Sequence, residues 1–210
     1  MGYLITRREA LERCTAMGLL LPGPGFTLST VGEAWEQAEK AACKPTPRNE
    51  VGPFYKKHAP SSNHLRVLGD LGMPLSVSGN IFDTRGERMQ DAVIEIWHTD
   101  HFGRYDLTGY KFRAQMRPPA GTYNFETVMP GHYPDRVCQH VHYIVNAPGH
   151  KTLVTQLYFA TDPALEGNPD KNYLKDPVLQ SRELIRPVML RTDSDLPIAK
   201  VVFDLCLERS

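Results

Sequence analysis

From Leu75 to Leu207 apolar and polar residues alternate with a period of two, in short runs broken by Gly, Pro, Asn and Asp, and that rhythm calls for strands. Leu75, Val77 and Ile81 alternate with Ser76, Ser78 and Asn80, as a half-buried strand requires. Strand-like runs follow at 91–98, 121–129, 139–146, 153–159 and 198–207. Asp83-Thr84-Arg85-Gly86 reads as a turn, because Asp can bond its own backbone and Gly accepts a positive φ. With 17 Pro and 16 Gly in 210 residues a helical bundle is excluded. The predicted class is mostly β, a Greek-key β-sandwich core over 46–210, one domain by length.

Residues 1–45 read as a helical segment. Thr6 with Glu9, and Thr30 with Glu33, each form a capping box ahead of apolar residues at helical spacing, and the second helix is expected to reach Lys44-Pro45. Thr6-Arg7-Arg8-Glu9-Ala10-Leu11 followed by Cys14–Leu21 also looks like a twin-arginine export signal. Glu12 and Arg13 interrupt its apolar region and no A-x-A site follows, so the helix is preferred and the location is read as cytoplasmic, with export as the alternative. Cys14, Cys43, Cys138 and Cys206 are widely spaced without a C-x-x-C pair, which favours reduced thiols. Lys plus Arg equals Asp plus Glu at 24 each, so no net field attracts nucleic acid, and no run is long and apolar enough to span a membrane.

The chemistry centres on His140 and His142. Residues i and i+2 of a strand share a face, so the pair can present two imidazoles to one ion. No Glu follows within Tyr143–Ala147, which disfavours a two-His-one-carboxylate ferrous site. Cys138 has the same strand parity, leaving open a zinc or copper site of Cys138, His140 and His142. Tyr105 and Tyr133, each just past an expected strand, are the better completing donors.

Trp97–Tyr105 (WHTDHFGRY), Gly121–Pro134 with its M-P-G-H-Y-P ending, the His140-x-His142 pair, and Ala147–His150 through Thr155-Gln156-Leu157-Tyr158-Phe159 resemble, in this order, the intradiol ring-cleavage dioxygenases. Gly52-Pro53-Phe54-Tyr55 with Ala59-Pro60 is similar to the segment opening that family's catalytic domain. The resemblance implies a mononuclear non-haem ferric ion held by Tyr105 and His140 as equatorial ligands and Tyr133 and His142 as axial ones. Phenolate, a hard anionic donor, suits a trivalent ion. It further implies that a catechol chelates as a dianion in place of Tyr133. Dioxygen is then inserted between the two hydroxyl-bearing carbons, giving a cis,cis-muconate-type diacid. Gln156 matches a residue placed to contact the substrate or the oxygen intermediate.

The family pattern R-x-x-H-x-H is departed from: its Arg position holds Val137, and Arg136 lies one residue earlier. The charge-stabilising role is carried to Arg136. The Tyr133–His140 interval is also short for the family. Lys56 and Lys57 are candidates for pairing with an acidic ring substituent, while His98, His101, His132 and His150 do not match ligand positions and Trp97 is read as core. The expected partners are a catechol-type substrate, dioxygen and further copies of the chain in a homo-oligomer. A non-catalytic binding module on the same sandwich is the alternative function.

Overall fold

The computed structural model describes residues 42–134, 136–192 and 197–210. The two expected helices and the twin-arginine-like segment lie outside these residues. Their described end, 42–45, is not helical.

The described residues form two five-stranded sheets. In the first, β1 (Pro74–Asp83) pairs antiparallel with β4 (Thr122–Val128) and parallel with β9 (Ile198–Val202) and β10 (Leu205–Leu207), and β8 (Met189–Arg191) lies antiparallel on β9. In the second the order is β3 (Arg113–Met116), β2 (Val93–Trp97), β5 (His140–Asn146), β6 (Leu153–Phe159) and β7 (Ile185–Arg186). The mostly-β reading therefore holds. Strict alternation along β1 buries Leu75, Val77 and Ile81. Tyr143 of β5 packs against Tyr123 and Phe125 of β4 and against Phe203, which joins the two sheets across one apolar core.

The single strand expected over 198–207 is two. Phe203 and Asp204 interrupt it, with the Phe203 N–H on Ser78 O at 2.8 Å and the Asp204 carboxylate taking the Asn80 N–H at 2.8 Å. A Cβ at Gly79 would lie 2.1 Å from the Phe203 carbonyl oxygen, so this bulge demands glycine opposite it. β3 went unread because four residues with one apolar alternation carry too little pattern.

Every residue of β5 except Asn146 is buried, on both faces of the strand. One face meets the other sheet. The second, carrying His140 and His142, is covered by an arm running from Ala42 to Tyr55 and by the loops after β2 and β4. The arm is tied down by Thr46 N–H on Cys206 O (3.0 Å), Asn49 N–H on Val154 O (2.8 Å), and Gln156 Nε2 donating to Glu50 O (2.8 Å). Cys43 and Cys206 form a disulfide at its start. That corrects the expectation of reduced thiols: 163 residues of separation hide the pair in the sequence, and the fold brings the arm onto β10. Cys138 is free and buried.

Candidate metal centre

Strand alternation places both histidines on the covered face of β5, with ring centroids 4.8 Å apart. The His140 Nδ1–H donates to Cys138 O at 2.7 Å, which fixes the tautomer and leaves the Nε2 lone pair facing inward, 3.4 Å from Tyr133 Oη. His142 Nε2 lies 3.1 Å from Tyr105 Oη. The ring of His142 stacks on Trp97, its partner across the β2–β5 ladder, with centroids 4.7 Å apart and planes 3° apart. Gly52 of the arm closes over it: a Cβ there would stand 3.2 Å from His142 Cε1, and its φ of +70° also favours glycine. Trp97, read as core, is core that also orients a ligand-type histidine.

The two tyrosines come from loops. Tyr105 stacks on Phe54 of the arm at 4.4 Å between centroids, and Phe54 meets Tyr133 edge-on at 6.1 Å. Arg113 is buried. It donates from Nη1 to Phe54 O (2.6 Å) and from Nη2 to Asp106 O (3.3 Å), holding the two residues that fix Tyr105, with its guanidinium 5.7 Å from the Tyr105 ring centroid. The Tyr133 loop is pinned at Asp162, whose carboxylate takes the Gln139 N–H (2.6 Å) and pairs with His132 Nε2 (2.9 Å). Arg136 N–H on Tyr133 O at 3.0 Å makes the short interval a tight reversal.

Burial holds His140 down at about 3, helped by the Arg136 charge, and lowers His142 well below its usual value for the same first reason, with His140 next. Both imidazoles are thus neutral, the form that donates to a metal. Burial, then the neighbouring Tyr133, raises Tyr105, and burial raises Tyr133 against the pull of Arg136. Phenolates here call for a strong cation between them. Two phenol oxygens and two neutral imidazole nitrogens converging beside β5 fit a ferric ion.

Arg136 and Gln156 lie beside this set. Gln156 is fully buried, and its Oε1 accepts from Arg136 Nη2 (2.8 Å) and from the Tyr158 hydroxyl (2.7 Å). All six sequence-selected residues are therefore brought together. Cys138 does not join them. It precedes β5 in a bend, where strand parity does not apply, and among the described residues no three His, Cys, Asp or Glu side chains gather as a metal site. Lys56 is occupied too: its Nζ donates to Thr108 O and Gly109 O at 2.9 Å each and sits over the Tyr110 ring, as a latch between arm and loop. His98 bonds Thr99 O and Thr127 Oγ1, and His132 is paired with Asp162, consistent with their exclusion as ligands.

A protein family described as "Dioxygenase" matches residues 51–209. Catechol 1,2-dioxygenase of Acinetobacter baylyi is 32% identical over 91% of this chain and 72% of its own length. The chain belongs to the intradiol ring-cleavage dioxygenases. Hydroxyquinol 1,2-dioxygenase of Corynebacterium glutamicum is 28% identical to this dioxygenase over 86% of the chain and 67% of that protein. Catechol 1,2-dioxygenase of a Pseudomonas strain is matched over 61% of its length, so the chain spans about two thirds of its curated relatives. Among solved structures, the dioxygenase domain of a dioxygenase carbohydrate-binding protein fusion from Streptomyces sp. SirexAA-E superposes with a TM-score of 0.68 at 30% identity, covering 80% of this chain and all of that one. Sequence reasoning missed Trp97, Phe54 and Arg113 as supports of this dioxygenase's pocket. Phe54 lay inside a quoted motif, whereas Arg113 had no signal of its own.

Proposed function

We propose that this chain cleaves catechol-type aromatic 1,2-diols with dioxygen between the two hydroxyl-bearing carbons, using ferric iron held by Tyr105, Tyr133, His140 and His142. The convergence of two phenol oxygens with two neutral imidazole nitrogens beside a buried arginine carries this reading. Bound there, ferric iron supplies Lewis-acid capture of the diol and the electronic route by which the ring meets dioxygen. The residues do the rest. Tyr133, only half-buried and on a loop, is suited to swing aside and take one diol proton on its Oη. Tyr105, clamped by Phe54 and Arg113, stays in place. Arg136 presents a fixed positive charge to the ring as negative charge builds there, and Gln156 orients it. Phe54 excludes water from the face of the pocket it covers.

With Lys56 bound to backbone carbonyls, no acidic ring substituent is required by the reading. No helix among the described residues is long and apolar enough to cross a membrane. The Cys43–Cys206 disulfide favours an oxidising compartment, and with it the export reading of Arg7 and Arg8 over the cytoplasmic one. Assembly as a homo-oligomer belongs to the reading and is measured by light scattering. Oxygen uptake by iron-loaded protein with catechol, with a ring-opened diacid as product, tests the activity. Iron-free protein that cannot be loaded and takes up no oxygen would leave the binding module in its place.

A further inference from the structure

The family arginine position is Val137, and the structure turns that side chain outward, 41% exposed. Arg136 goes inward, 7% exposed, although it stands one residue too early and is not on a strand whose alternation would aim it. Its direction needs a cause, and the cause is across the fold. Asp176 follows a short helical excursion between β6 and β7, 40 residues away, and is 1% exposed. Both of its carboxylate oxygens accept from Arg136 Nε at 3.3 Å. The same carboxylate takes the Cys138 N–H and the Val178 N–H, each at 3.0 Å, so it is itself immobile. Held at Nε, the guanidinium reaches on with Nη2 to Gln156 Oε1 (2.8 Å) and Tyr158 Oη (2.6 Å).

We propose that Asp176, with Tyr158, is a positioning residue that restores the displaced arginine to the substrate pocket, compensating for the extra residue between Arg136 and His140. The proposal rests on the ring-cleavage reading for its consequence in turnover. Its geometric part stands apart from that reading. Asp176 has to be charged and rigid to do this: a buried guanidinium without a counter-ion is strongly unfavourable, and a neutral amide would free it to turn toward solvent beside Val137. Misplacing a pre-aimed charge by about 1 Å costs on the order of 10²-fold in rate.

Two measurements test it. In metal-free wild-type protein, the Arg136 Nε–H signal should exchange slowly with solvent by NMR; fast exchange would overturn the anchoring outright, whether or not any variant folds. In iron-loaded protein with catechol, Asp176→Asn should lower kcat by on the order of 10²-fold with KM little changed. Asp176→Glu should recover part of the loss, and the visible band of the resting enzyme should stay where it is. In an Arg136→Gln background the Asp176→Asn loss should vanish, since the aspartate acts only through the arginine. Wild-type kcat in Asp176→Asn, or losses that simply multiply in the double variant, would refute the proposal. Wild-type protein that binds no iron and cleaves no catechol would instead refute the ring-cleavage reading, and slow Nε–H exchange would then still uphold the anchor.

Discussion

Half of the pocket is carried by a strand and half by loops. His140 and His142 sit on β5, hydrogen-bonded to β2 and β6 on either side, so their spacing and direction follow from the two-residue period of the sheet. Tyr105 and Tyr133 sit on connections with no ladder to fix them. Their places depend on an aromatic stack with Phe54, on Arg113 holding two carbonyls, and on Asp162 pinning one loop. The strand half is set by local chain geometry and the loop half by contacts between distant residues. Substitutions should therefore separate the two halves.

The largest effect is expected at the loop half's own donor. Tyr105→Phe should abolish ring cleavage and weaken and shift the tyrosinate-to-iron band, to which Tyr133 still contributes, while the apoprotein keeps its fold, checked by absorption, metal analysis and circular dichroism. Next, removing the disulfide with paired Cys43→Ser and Cys206→Ser should lower unfolding free energy by about 2–5 kcal/mol in denaturant titration. The arm it anchors carries Phe54, which packs on both tyrosines, so the loop half should loosen before the histidines do. Arg113→Met leaves the Phe54 and Asp106 carbonyls without their donor, a cost of about 1–3 kcal/mol. Iron affinity should fall by about 10–100-fold, as for other groups that orient ligands, whereas Val141→Ala on the sheet side should destabilise the fold and leave the iron band in place.

The smallest effect is a pH slope. Buried His98 is held down at about 4, first by desolvation, and its neutral ring donates from Nδ1 to Thr99 O and accepts from Thr127. The unfolded chain takes up a proton near pH 6.5 and the folded one does not until about pH 4. Stability is thus lost as pH falls between those values, by about 1.4 kcal/mol per pH unit at most. His98→Gln should flatten that slope in thermal melts across the same range.

The same division explains what the sequence disclosed. Alternation along β1 and β5 was legible because each residue's burial depends on its parity alone, and the H-x-H pair came with it. Tyr105 and Tyr133 were legible only through their motifs, since no local rule directs a loop tyrosine inward. Arg136 illustrates the limit. Its offset from the motif gave no direction, because the residue is turned inward by Asp176, 40 positions away. The Cys43–Cys206 pair and the break at Phe203-Asp204 were hidden for the same cause: each is fixed by a partner that only the folded chain supplies.

The most direct measurement is the visible absorption spectrum of the protein reconstituted with ferric iron, before and after anaerobic addition of catechol. A broad tyrosinate-to-iron band at one iron per chain, shifting when catechol is added, is the predicted result. Stoichiometric iron without such a band, or a band indifferent to catechol, would contradict the assignment of Tyr105 and Tyr133 to the metal.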